Sequence, residues 1–240
     1  LVRAAGELAG TFRIATFQTV LVGLMPAVLT ILRASHPHLV VELVHADPGP
    51  ALSRLQAGEL DLIFDEIFAG QPTSRSNAIK QTVVHRDAMR LAVPPAGFAW
   101  SDAVRVEDLM EAHWVMEPPG SAAREWADRI CGAAGFVPQV RYESPDVVVH
   151  EGLVRAGHAV AFLPDLLWAE TIPAVGLRKL PADGFRDILR SVRAGTSDHP
   201  AVTAVTAALD EAASAVTATI SERLDALAHT EHPVSDGVAP

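Results

Sequence analysis

What most narrows the fold is a change of hydrophobic period, repeated in fixed order over residues 11–64. Residues 11–17 (Thr-Phe-Arg-Ile-Ala-Thr-Phe) are β-branched and aromatic and read as a strand. Leu21, Leu24, Met25, Val28 and Leu32 then step by three and four, one face of a 3.6-residue period. Pro26 breaks a helix interior, so a short first turn should precede it and the main helix should start near it. His36-Pro37 ends that helix. Residues 39–45 form a second strand, a turn follows at Asp47-Pro48-Gly49-Pro50, and a short helix at 51–57 closes on Gly58. Residues 60–64 make a third strand. Strand, helix, strand, helix, strand with connections of this length implies parallel pairing through right-handed crossovers.

A second block repeats the alternation. Residues 81–86 and 89–93 are strand-like, separated by a charged step at Asp87, and Pro94-Pro95 ends the run. A helix at 107–112, a strand at 114–116, a helix from Ser121 to 134, a strand at 137–143, a helix at 146–156 and a strand at 159–163 follow. A helix from Leu166, a strand at 176–180 and a strand at 190–194 complete it. Val202, Val205, Leu209, Ala212, Val216, Ile220, Leu224 and Leu227 mark the apolar stripe of one long final helix. The organisation expected is α/β with two lobes: residues 11–88 and 191–225 in lobe I, 89–190 in lobe II, the end of a linker helix at 1–10 and a disordered tail at 226–240.

Composition limits what such a chain does. Lys and Arg number 19 against 29 Asp and Glu, a net charge of -10, which argues against direct contact with nucleic-acid phosphates. The longest uncharged apolar run, residues 19–32, falls short of the ~18–20 residues of a membrane span and contains a proline. No basic segment leads into an apolar signal core, so the reading is cytoplasmic. The single cysteine, Cys131, excludes an internal disulfide and sits in a helical pattern as a small buried hydrophobe.

Motifs for chemistry are missing. There is no G-x-S-x-G elbow, no H-E-x-x-H pair among the ten histidines, no dinucleotide fingerprint and no Walker sequence. No catalytic residue, metal or cofactor is expected. What remains is geometry. Thr16-Phe17-Gln18-Thr19 leads from a strand into a helix, and Pro118 to Ser121, with Gly120 before the cap, leads into another. Helix N-termini with hydroxyl and amide donors suit a small carboxylate. Ser121 reads either as a cap alone or as a cap that also touches ligand. Asp65-Glu66 stands at the end of the third strand, where parallel sheets present ligands. It reads either as a solvated loop or as one carboxylate facing a cleft, since neighbours on a strand point to opposite faces.

Several segments together resemble a known family. Gly10-Thr11-Phe12-Arg13-Ile14-Ala15, Leu24-Met25-Pro26-Ala27-Val28-Leu29, Arg33-Ala34-Ser35-His36-Pro37 and Leu55-Gln56-Ala57-Gly58-Glu59-Leu60-Asp61-Leu62 are similar, in order and spacing, to the effector-binding region of LysR-type transcriptional regulators. So are Gly120-Ser121, Ala134-Gly135-Phe136-Val137-Pro138 and residues 153–164, and the resemblance covers about residues 8–210.

The resemblance implies a type 2 periplasmic-binding-protein-like fold: two Rossmann-like lobes joined by two crossover strands. It implies an effector in the interlobe cleft, touching Gln18 and Thr19, the region of Asp47 and Pro48, Ser121, and the region of Leu163 and Pro164. With Thr16, Phe17, Asp65, Gly120 and Phe162 these are the candidate ligand-binding residues. It implies a homodimer or tetramer, packing the helix near Pro26 to Arg33 against a partner's helix after Ser121. DNA would be contacted through a winged helix-turn-helix that precedes Leu1. Asp65-Glu66 departs from the family's small or apolar residues there, which disfavours a purely anionic effector or selects one with an amine. A transporter's solute-binding protein is the alternative on the same fold.

Overall fold

A computed structural model describes residues 8–71 and 76–230, with side chains through residue 226. Residues 1–7 of the expected linker, residues 72–75 and the tail from 231 lie outside the described residues.

Strand β1 (Gly10–Thr16) pairs in parallel with β2 (Leu39–His45) on one edge and with β3 (Leu62–Phe68) on the other. Helices α1 (Gln18–Gly23) and α2 (Met25–Ser35) make the first crossover, and α3 (Pro48–Gln56) makes the second. Pro26 lies in the first turn of α2, where a missing N–H costs no intrahelical bond. The same reason corrects the turn expected at residues 47–50. Pro48 and Pro50 sit inside the first turn of α3, whose N-cap is Asp47.

Two strands carry the chain between lobes. β4 (Ile79–Val93) runs unbroken through Asp87, where the sequence suggested a break. Residues 79–88 pair antiparallel with β9 (Phe185–Arg193). Residues 89–93 pair with β7 (Ala161–Pro164) and β8 (Gly176–Lys179). β9 in turn pairs with β3 from Arg186 to Ser191, so the return to the first lobe begins near Phe185, earlier than residue 191. In the second lobe β5 (His113–Met116) and β6 (Gln139–Glu143) are parallel, and β5 meets the chain before β7 at a bridge between Trp114 and Val160. Helices α4 (Ala122–Ala133) and α5 (Val147–Arg155) connect them.

Each lobe has its own core. Phe12, Ile14, Val28, Leu62 and Phe64 pack against the stripe Val202, Val205, Leu209, Ala212, Val216 and Ile220 of α6 (Pro200–Thr230). α6 remains helical through residues 226–230, where a disordered tail was expected to begin. Leu224 packs against both the first lobe's core and the cluster behind β7, and the side chain of Leu227 lies outside the described set. Trp114, Trp126, Phe136 and Phe162 centre the second core. Cys131 is fully buried there, and burial pushes its thiol up to about 12, as a structural cysteine requires.

The lobes also meet behind the hinge, where α1 lies on the 3-10 turn Asp165–Trp168. A Cβ at Gly23 would stand 2.4 Å from the Leu166 carbonyl oxygen, a backbone atom that cannot swing aside. Gly23→Ala is expected to destabilise the protein by about 1–3 kcal/mol, the usual cost of overpacking. An unchanged urea midpoint would show that this seam yields.

Candidate functional site

The carboxyl ends of β1, β2 and β3 open onto a cavity of about 680 Å³ roofed by two loops of the second lobe, 117–122 and 145–147. This is where open α/β sheets present ligands. Beyond Ile63 the edge of β3 facing β1 has no partner, so Asp65 and Glu66 extend past the end of β1 into this space. They lie inside β3 rather than at its end, and both line the cavity, not one. The cavity sits over the sheet's end, so the alternation of faces does not exclude either.

Gly120 adopts a left-handed φ of +91°, which turns the loop after Glu117 back into α4. Ser121 caps that helix, its hydroxyl accepting the Arg124 N–H at 3.1 Å, and the same hydroxyl bonds the Glu117 carboxyl. Gln18, at the start of α1 in the first lobe, reaches across the cavity. Its side-chain oxygen accepts the Val147 N–H of α5 at 2.8 Å, a hydrogen bond between lobes.

At the floor lies a charge network. Arg186 on β9 is 4% exposed and faces Asp87 on β4, its cross-strand neighbour, which is fully buried. The guanidinium donates to Asp87 Oδ2 at 2.7 and 3.0 Å, to Glu66 Oε2 at 2.6 Å and to Thr19 Oγ1 at 2.7 Å. The other Asp87 oxygen accepts the Leu166 N–H at 2.9 Å, so this carboxylate is bonded from both sides. One step along, Arg86 and Asp187 form a second pair across the same strands, on the outside.

Burial moves the carboxyls. Asp65 lies above the ordinary value because burial outweighs the hydrogen bond from Glu66 N–H. Glu66 is raised because burial exceeds the attraction of Arg186. Glu117 is pushed up to about 7, first by burial and then by repulsion from Glu66, against the Ser121 hydrogen bond.

Of the residues singled out from sequence, Phe17, Gln18, Thr19, Asp47, Pro48, Asp65, Gly120 and Ser121 line this cavity. Thr16 and Leu163 do not: both are fully buried within the lobes. Phe162 and Pro164 face a separate small void of about 30 Å³ behind the cleft, beside Trp126. Sequence reasoning missed Glu117, Asp146 and Arg186. Had the last strand been read from Phe185, Arg186 would have fallen on the buried side with Ile188, a signal for a buried ion pair. His150 on α5 is 3% exposed with its Nε2 2.8 Å from the Ser144 carbonyl oxygen.

A second cavity, about 770 Å³, lies between β4, β8 and the end of α6. Its three arginines are held by the protein itself: Arg86 pairs with Asp187, Arg90 grips Asp165 in a two-point pair, and Arg178 donates to the carbonyls of Ser101 and Ala103. It lies away from the carboxyl ends of β1, β2 and β3. Among the described residues no group of three or more His, Cys, Asp or Glu converges as a metal site, and no helix is long and apolar enough to cross a membrane.

Two α/β lobes, two crossover strands and a polar cavity between them define a small-molecule-binding domain of the type 2 periplasmic-binding-protein-like class. The profile of the LysR substrate binding domain matches residues 5–214, and the chain belongs to that family. It is 27% identical over 183 residues to the transcriptional dual regulator GltC of Bacillus subtilis, covering 76% of this chain and 59% of GltC. The chain thus spans somewhat more than half the length of that relative. The effector binding domain of a BenM variant superposes with a TM-score of 0.68 at 21% identity, over 84% of this chain and 94% of that one. Full-length CbnR complexed with its target DNA gives 0.69 at 19% identity, over 85% of this chain and 71% of CbnR. These relatives are regulators, not enzymes or transport proteins.

Proposed function

We propose that the cavity between the lobes is the effector site of a LysR-type transcriptional regulator. Occupancy of the cleft would be passed to DNA-binding heads elsewhere in the full protein. The observation that carries this reading is that the cavity walls come from both lobes, and one hydrogen bond, Gln18 to Val147, already spans them. A ligand touching both walls changes the angle at β4 and β9, and so the placement of whatever is attached. CbnR, bound to its target DNA, supplies the precedent for the attached part. The same reading makes the protein a cytoplasmic homodimer or tetramer, with α2 of one copy against α4 of another.

A ligand at about 100 times its Kd should stabilise the domain by roughly 2.7 kcal/mol, a shift easily read in thermal melts. Thr19→Ala and Ser121→Ala are each expected to weaken binding by about 1 kcal/mol, the scale of one hydrogen bond. Ser121→Ala should also cost about 1 kcal/mol of stability as a lost cap. Calorimetry on both variants checks this, and unchanged affinity in both would move the site away from the cleft.

A further inference from the structure

We propose that the effector of this cleft carries a protonated amine, held between Glu117 of the second lobe and the Asp65–Glu66 pair of the first. This rests on the reading of the cleft as the effector site and adds the chemical class of what enters it.

Five carboxylates line the cavity, Asp47, Asp65, Glu66, Glu117 and Asp146, against one guanidinium. That guanidinium, Arg186, spends four of its five N–H donors on Asp87, Glu66 and Thr19, so most of its capacity is taken before a ligand anion arrives. Two of the other polar groups a carboxylate would seek are also engaged, and His45 lines the cavity beside them. Gln18 takes the first amide of α5, and Ser121 takes an amide in the first turn of α4. Asp47 and Asp146 stand at the N-caps of α3 and α5, where the helix dipole offsets part of their charge.

Asp65 and Glu117 have no such offset, and neither makes an ion pair among the described residues. A carboxylate brought here would meet acidic groups from both lobes and would raise them further. An ammonium would meet acceptors from both sides and would draw together two walls that otherwise repel. Glu117, held near 7 by burial and by Glu66, would ionise as the cation arrives and release a proton at neutral pH.

The test is calorimetric titration of the 240-residue chain at neutral pH with putrescine, L-lysine and agmatine. Succinate, glutarate and butanediol serve as anionic and neutral counterparts. At least one amine should bind and none of the counterparts should. The measured heat should differ between phosphate and Tris buffers, and Glu117→Gln should erase that difference. Glu117→Gln and Asp65→Asn should each weaken the amine about 10-fold or more, the loss of a charged hydrogen bond. Both variants relieve repulsion, so both should melt no lower than the parent. Binding of a diacid, weakened by Ser121→Ala, would overturn the amine class and leave the cleft as the site. An amine that binds with affinity unchanged in Glu117→Gln and Asp65→Asn would overturn this proposal, and only if Thr19→Ala and Ser121→Ala also left it unchanged would the cleft reading fail with it. Failure of all three amines to bind would overturn the proposal.

Discussion

Arg186→Met is expected to lower the stability of the domain by about 3–5 kcal/mol, the usual result of removing one partner from a buried ion pair. Asp87 is fully buried, and Glu66 is nearly so. The substitution keeps most of the side-chain volume, so the loss comes from charge rather than from a cavity. Without the guanidinium, burial and the mutual repulsion of Glu66, Asp65 and Asp87 all push Glu66 further above its ordinary value.

A carboxyl raised in the folded state binds its proton more tightly folded than unfolded. It therefore supports stability at low pH, and that support is lost as pH climbs through the folded value. The deficit of Arg186→Met should thus shrink on acidification and be largest above neutrality. Arg186→Met combined with Asp87→Asn should recover part of the loss, since Asn keeps an oxygen for the Leu166 N–H. Urea titrations at several pH values measure all three effects. A pH-independent deficit would mean that packing, not charge, accounts for it.

Trp126→Ala should cost a similar amount, about 3–5 kcal/mol. Trp126 is 1% exposed on α4 and packs against Phe162 at 5.1 Å and Phe68 at 5.3 Å between ring centroids. Its indole N–H donates to the Asp183 carbonyl oxygen at 3.2 Å. Phe68 ends a first-lobe strand yet joins the second lobe's core, so Trp126 lies where the two lobes meet beneath the cleft. The void already beside it limits how far neighbours can collapse, and a truncated side chain adds to that space. Trp126→Phe should cost less, retaining ring contact and losing the hydrogen bond. A midpoint in urea that falls by less than about 1 kcal/mol equivalent for Trp126→Ala would show that the seam repacks.

Much of this architecture can be read without coordinates. The shift from a β-branched, aromatic strand to a period of 3.6 at Phe17, and back at Leu39, dictates strand, crossover and parallel strand, because the helix has one apolar face to lay on the sheet. The stripe from Val202 to Ile220 announces the helix that covers the first sheet. The P-P-G-S run places a capped helix at Ser121, since only a side-chain oxygen satisfies that first turn. These are local signals, and local physics enforces them.

The charge logic of the cleft is different. Arg86-Asp87 and Arg186-Asp187 are the same dipeptide about a hundred residues apart. Antiparallel register turns them into two reciprocal ion pairs, one inside and one outside. Asp87 looked like a break in a strand because an isolated charge cannot be buried. It is buried because Arg186 lies opposite it, a fact that belongs to the pairing of β4 with β9. Glu117 likewise carries nothing unusual in its own segment. It becomes a carboxyl held near 7 when folding brings it to Glu66 in a shared, poorly hydrated space. Sequence alone determined a two-lobed fold with a cleft, because periodicity is written residue by residue. Tertiary structure decided the sign of the charge that the cleft would accept, because that sign is a sum over groups that meet only after the chain has folded.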